Sequence, residues 1–213
     1  MIVAVDGPTA SGKGTIAKAL AAHFGLPHLD TGLLYRAVAR QLALAGGDPD
    51  DPVAAAAAAD FPEALLSDPV LRDEHIGGLA SRVSIHPAVR AALLSRQRAF
   101  AAQPGGAVLD GRDIGTVIAP EADVKLFVTA TIEARAKRRF LEMGKRGSAA
   151  TEAEIAADLA LRDARDRGRS ASPLRAATDA LVLDNSAMTS AESAAAAIRL
   201  VERALSPDSS AKH

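Results

Sequence analysis

Residues Gly7 to Thr15 read GPTASGKGT, the G-x-x-x-x-G-K spacing with which a chain wraps its backbone around phosphate oxygens. Glycines allow the tight turn, several N–H groups then point inward, and the start of the following helix adds positive potential. The candidate ATP-binding run is Gly7, Pro8, Thr9, Ala10, Ser11, Gly12, Lys13, Gly14 and Thr15, with Lys13 long enough to bridge the β- and γ-phosphates. A tight strand–helix turn carrying a surface lysine has the same letters. The residue after Lys13 is Gly14, where a magnesium-binding loop carries Ser or Thr, and Thr15 comes one position later. Asp110, ending the apolar run at Val108 to Leu109, is the leading candidate partner for Mg2+, with a structural turn aspartate as the alternative.

Phosphoryl transfer spreads negative charge over the group in flight, so cations must converge on it. Arg36, Arg112, Arg135, Arg138, Arg139, Arg162 and Arg169 are the candidates. In LRDARDRGR, Arg162, Asp166 and Arg169 fall at i, i+4 and i+7 and would share one helix face, with Asp163 and Arg167 pointing elsewhere. A solvated, salt-bridged helix face has the same spacing. The five histidines form no pair at metal-binding spacing, and no Ser-His-Asp arrangement is suggested.

These residues need elements to hold them. Ile2 to Val5 is a β-branched run that stops at a Gly/Pro turn, and Lys13 to Phe24 has helical composition ending at Gly25. Leu26 to Leu29 leads into DTG, and a helix is expected from about Leu33 to Ala45. Residues 48 to 70 place Pro and Asp around an alanine run, which predicts a short helix in an insertion. Helices follow near Ile76 to Ser84 and from Pro87 to Ala102. Ala107 to Leu109, Val124 to Val128 and Leu181 to Leu183 are continuously apolar, as strands covered on both faces are. Between the last two lie arginine-rich helices, about Ile132 to Met143 and Glu152 to Arg167, joined by GKRGSAAT, a segment able to close over a ligand. An amphipathic helix from Ser190 to Leu205 precedes a polar tail. Five parallel strands alternating with helices imply a doubly wound α/β sheet, with ligands at the carboxyl ends of its strands. The DG, DGRD and DN dipeptides and tetrapeptide after those strands all fall at that edge.

At 213 residues, with 48% hydrophobic and 24% charged residues, the chain suits one domain with a sizeable core and excludes a wholly disordered reading. Aromatics are only 3%, so that core must be aliphatic. A net charge of −1 lacks the basic excess of a general nucleic-acid binder. Locally concentrated arginines fit a small anionic substrate better. The absence of cysteine removes disulfides, thiolate metal sites and thiol catalysis, and is compatible with a reducing cytoplasm. MIVAVDGP has neither the basic start of a signal peptide nor the length of a membrane span.

GPTASGKGT, DTGLLYR, LASRVS, PAVRAALL with RQR, DGRDIGTV and RDARDRGR occur in the order and approximate spacing of bacterial cytidylate kinases, which the chain resembles over nearly its whole length. GKGT is the form of the loop seen in nucleoside monophosphate kinases, where the ion is held largely through water and the substrate phosphates, so the resemblance implies that Asp110 partners Mg2+ through water. The resemblance implies a P-loop NTPase-type fold with an acceptor-binding insertion at about 31–105, a short lid at about 135–170 and a flexible tail at 206–213. It implies a monomeric cytoplasmic enzyme that transfers the ATP γ-phosphoryl group to CMP and dCMP with Mg2+, without nucleic-acid or membrane partners. By similarity, Thr31, Tyr35 and Arg36 help place the acceptor, and Arg36 and Arg112 grip its phosphate. Ser81, Arg90 and Asp113 resemble the set that reads cytosine. A cytosine N4 amino group donates to a carboxylate such as Asp113, whereas uracil turns an acceptor oxygen toward it. Arg162 and Asp166 resemble the sugar-binding pair, Arg169 a phosphate contact, and Arg135, Arg138 and Arg139 the helix leading to the lid. Lys13, Arg112, Arg138, Arg162 and Arg169 form the expected catalytic set. Asp113 also suits a helix cap, and Ser81 a packed helix serine. The sequence departs from the family at 48–72, where a shorter, alanine-rich segment replaces the usual insertion with its glycine-punctuated small sheet.

Overall fold

The computed structural model describes residues 1–144 and 149–206. The middle of GKRGSAAT, 145–148, and the tail beyond residue 206 lie outside the described residues. Five strands, β1 (Ile2–Asp6), β2 (His28–Asp30), β3 (Ala107–Gly111), β4 (Val124–Thr129) and β5 (Leu181–Asp184), form one parallel sheet in the order β2-β3-β1-β4-β5. The period of two divides β1 between two cores. Val3 and Val5 pack with Ile16, Leu20 and Val201 on one side, and Ala4 packs with Leu109 and Ile114 on the other. At the edge, β5 departs from the double cover expected of its apolar run, because Val182 is exposed. Leu181 and Leu183 face the core shared with α1 and α8, and Val182 points to the opposite face, which nothing among the described residues covers at this edge.

Helix α1 (Lys13–Phe24) packs against α8 (Ser190–Leu205). Glycine at Gly25 adopts the left-handed conformation that ends α1. The acceptor-side insertion comprises α2 (Thr31–Leu44), α3 (Pro52–Ala57), two short turns, α4 (Glu74–Val83) and α5 (Pro87–Ala101). Its core joins Leu34, Val38 and Leu42 to Leu71, Val83 and Leu93, and small Ala55 lets α3 approach closely. Helix α2 begins at Thr31, two residues before the expected start, because the Thr31 hydroxyl donates to the Asp110 carbonyl at 2.8 Å. The β2 strand is likewise shifted from Leu26–Leu29 to His28–Asp30, in register with Val108–Asp110. Helices α6 (Ile132–Gly144) and α7 (Glu152–Gly168) pack side by side beyond the sheet edge. A capping box between Thr151 and Glu154 starts α7. It ends at Gly168, so Arg169 has extended backbone (φ −61°, ψ 135°) and is not the i+7 member of a helix face. Among the described residues no helix is long and apolar enough to cross a membrane.

Candidate active site

A cavity of about 250 Å³ opens at the carboxyl ends of β1, β2 and β3, between the glycine-rich loop, the insertion and α6–α7. On the loop side, Gly12 stands in the left-handed region (φ 85°) and starts α1 without a side-chain cap, and its carbonyl takes the Thr15 and Ile16 N–H groups while those of Lys13 and Gly14 are left for an anion. A Cβ on Gly7 would lie 2.1 Å from the Val128 carbonyl oxygen, so that turn has room for glycine alone. Thr9, Ala10, Lys13 and Gly14 line the cavity. Thr15 is exposed and does not. Burial, with the nearby Arg112 charge, pushes the Lys13 ammonium down to about 8. Asn185, just past β5, donates to the Ser11 carbonyl at 2.9 Å and steadies the loop from below. The sequence placed the DN dipeptide at this edge without giving Asn185 a role.

The expected acceptor residues converge on the same cavity. Thr31, Tyr35, Arg36, Ser81, Arg90, Arg112, Asp113, Arg162, Asp166 and Arg169 all line it. Arg36 donates to the carbonyls of Leu71 at 2.7 Å and Asp73 at 3.0 Å. A Cβ on Gly77 would come within 2.7 Å of the Arg36 guanidinium, so Gly77 makes space for it. Burial and the Arg139 charge bring Arg36 down to about 10. Arg112 joins two walls, donating to the Thr9 hydroxyl at 2.7 Å and to Asp166 at 2.9 Å. Burial works against the Asp166 charge, but Arg112 and Arg169 outweigh it and hold the carboxyl below its usual range.

At the far end, Arg90 donates to the Asp113 carboxylate, to the Ser84 carbonyl at 3.3 Å, and lies 5.4 Å from the Tyr35 ring centre. Burial raises the Tyr35 hydroxyl above its usual range. Ser81 Oγ accepts from Arg165 at 2.8 Å. Asp113 precedes the wide turn Ile114–Ile118 without capping it. Asp6 does that instead: its carboxylate accepts from the N–H groups of Ile114 and Gly115, both at 2.8 Å. Burial raises the Asp6 carboxyl to about 6. That cap frees Asp113 to face the cavity, and the sequence alone read Asp6 only as the end of a strand.

Asp110 accepts from His28 Nε2 at 2.7 Å, and a Cβ on Gly14 would lie 3.7 Å from its other oxygen. Asp30 is its direct partner across the strands. Burial and the Asp110 charge together raise the Asp30 carboxyl. Two carboxylates side by side beneath the phosphate loop are an oxygen set that suits a divalent cation holding its own waters.

Three arginines grouped by the family resemblance separate in space. Arg139 lines the cavity. Arg135 is 2% exposed and forms a two-bond pair with buried Asp163 at 3.1 and 2.6 Å, while also donating to the Thr9 carbonyl at 3.1 Å. Its charge is spent inside the protein. Arg138 also stands off the cavity, donating to Asn185 Oδ1 at 2.9 Å and to the Met188 carbonyl at 3.2 Å. The expected placement of Asp163, pointing away from the Arg162 face, leads it to Arg135.

Residues 3–203 match the family model described as cytidylate kinase. The chain is 55% identical over 203 residues to the cytidylate kinase of Rhodopseudomonas palustris (strain TIE-1), covering 95% of this chain and 96% of that one. It is 56% identical over 206 residues to the cytidylate kinase of Afipia carboxidovorans (strain ATCC 49405 / DSM 1227 / KCTC 32145 / OM5), covering 96% and 98%. Its fold is similar to the crystal structure of an uncharacterized protein from Eubacterium ventriosum ATCC 27560, with a TM-score of 0.57, 15% identity, and coverage of 95% of this chain and 98% of that one.

Proposed function

The chain belongs to the cytidylate kinase family, and on that premise we propose that it transfers the γ-phosphoryl group of ATP to the phosphate of CMP and dCMP, giving ADP and CDP or dCDP. The carrying observation is the two-ended cavity. A phosphate loop with Lys13 forms one end, the Arg90–Asp113 pair with Ser81 forms the other, and Arg36, Arg112, Arg139, Arg162 and Arg169 line the walls between them.

In this reading the base of the acceptor lies against Ser81, Arg90 and Asp113. The Asp113 carboxylate accepts from the N4 amino group of cytosine and repels the O4 of uracil. Asp166 and Arg162 hold the sugar. Arg36, Arg112 and Arg169 draw the acceptor phosphate toward the loop, and Thr31 and Tyr35 shape the wall beneath it. An acceptor phosphate oxygen is already ionised and needs no base. Catalysis is in-line displacement at the γ-phosphorus, driven by positioning and by cations that neutralise the spreading charge. Lys13 and Arg162 supply that charge directly, and Arg138 supports the reaction through Asn185, which holds the loop. Asp110 would hold Mg2+ through water, and the ion would supply positive charge to the nucleotide phosphates.

We further read residues 31–105 as the acceptor arm and 135–170 as the lid of one domain, acting as a cytoplasmic monomer on small nucleotides without nucleic-acid or membrane partners. A coupled assay of ADP production with CMP, dCMP, UMP and AMP tests the reaction. The cytosine nucleotides should lead clearly in kcat/KM. Equal use of UMP would remove the cytosine assignment.

A further inference from the structure

Glu74 starts α4, where an acidic residue complements the helix dipole on its own account. Its side chain does something further. One carboxylate oxygen, Oε1, accepts from Arg162 of α7, and the other, Oε2, accepts from Arg139 of α6. Both arginines line the cavity and are largely buried, whereas Glu74 is about one-third exposed (32%) and is not itself among the lining residues. Each arginine has a second anionic partner on its own helix, Asp158 for Arg162 at 2.8 Å and Glu142 for Arg139 at 2.9 Å. Glu74 is therefore the carboxylate that ties the two guanidinium groups to each other and to the acceptor arm. Arg36 is lowered first by burial and further by the Arg139 and Arg162 charges, and Glu74 is the counter-charge those two arginines share.

We propose that Glu74 is a positioning residue for phosphoryl transfer, fixing the separation of Arg139 and Arg162 so that both guanidinium groups meet the transferred group. The proposal rests on the kinase reading above. A partly exposed ion pair contributes little to stability, so the consequence of Glu74 lies in geometry. Rigid placement of charge matters most where charge develops during the reaction.

Glu74→Gln keeps the shape and removes the charge. It should lower kcat by roughly tenfold to a hundredfold while the KM for ATP stays within about threefold. In an Arg139→Met background the same change should cost less than about twofold more, since half of the bridge is already gone. Wild-type kcat in Glu74→Gln, or the same fold-loss in both backgrounds, overturns the proposal. A readout independent of turnover separates it from the kinase reading. The Nε–Hε NMR signals of Arg139 and Arg162 should be sharp in the wild-type protein and broadened by exchange in Glu74→Gln. Identical signals in the two proteins overturn the positioning role even if CMP is phosphorylated. Broadened signals in a protein that proves inactive toward CMP would remove the acceptor assignment and leave the bridge standing.

Discussion

Arg90 on α5 donates to the carboxylate of Asp113, and both are buried at the end of the cavity away from the phosphate loop. A carboxylate offers acceptors only, so the Asp113 side chain can take a hydrogen bond from cytosine N4 and none from uracil O4, and Arg90 fixes its orientation. Asp113→Ala should therefore lower the kcat/KM preference for CMP over UMP by about tenfold or more, with ATP KM changing less than about threefold. Competition between equimolar CMP and UMP, read by product ratio, measures this. An unchanged ratio with weakened ATP would assign Asp113 to another part of the site.

Lys13 yields a pH prediction. Burial lowers its pKa from 10.5 to about 8, so the free protein loses this proton as pH rises through about 8. The triphosphate favours the charged form, so binding above pH 8 must return the proton. ATP affinity should be flat near pH 7 and then weaken by up to about tenfold per pH unit. Titration calorimetry in two buffers of different ionisation enthalpy should find almost no proton uptake at pH 7 and close to one proton at pH 9. The sign for stability follows from the same shift. Between about pH 8 and 10.5 the unfolded chain binds more protons at this site than the folded one, so the cost of burying Lys13 is fully present below pH 8 and fades above it. Lys13→Met should be more stable than wild type at pH 7, by a margin that shrinks as pH rises, while losing turnover. No uptake at pH 9 would mean that Lys13 keeps its proton without the nucleotide.

How far the sequence could be read depended on the kind of information each residue carries. The glycine-rich loop and α1 were legible because local backbone needs and helix period are written in adjacent letters, as at Gly12 and Gly25. The sheet was legible from apolar runs, though an edge such as Val182 has the same letters as a covered strand. Arg135, Arg138 and Arg139 could not be separated, since one turn of α6 turns one inward to Asp163, one to Asn185 and one to the cavity. Those partners are 28 and 47 positions away in sequence. The i, i+4, i+7 spacing groups Arg169 with Arg162 and Asp166, but α7 stops at Gly168 and Arg169 reaches the cavity from extended backbone. Asp6 acquires its role only through the register that sets β1 beside β3, which brings the turn after Gly111 over its carboxylate.

The His28–Asp110 hydrogen bond bears on magnesium. It occupies one oxygen of Asp110 and leaves the other near Gly14, beneath the phosphate loop. Asp110→Asn keeps the size and removes the charge. It should raise the Mg2+ concentration for half-maximal activity by roughly tenfold, as loss of an outer-shell partner does, and leave metal-free CMP binding within about twofold. A Mg2+ titration at fixed total ATP checks this. An unchanged half-point would assign Asp110 to the structural turn alone.

Arg135 is one of the arginines that stand off the cavity. Arg135 and Asp163 are each 2% exposed and share two hydrogen bonds, so removing either strands a charge in the interior. Arg135→Ala and Asp163→Ala should each cost about 3–5 kcal/mol, read as a shifted urea midpoint. The paired change Arg135→Met with Asp163→Leu strands no charge and should recover much of that loss. Recovery will be incomplete, because Arg135 also donates to the carbonyls of Thr9 and Ala130, and a buried acceptor left unpaired costs about 1–3 kcal/mol. Thr9 belongs to the phosphate loop. The double variant should therefore regain stability more fully than it regains ATP affinity, since Met at position 135 cannot hold the Thr9 carbonyl in place. Urea unfolding and ATP titration on the same three proteins separate the two effects. If affinity and stability return together, the hydrogen bond to Thr9 does not shape the loop, and the pair serves only to join α6 to α7.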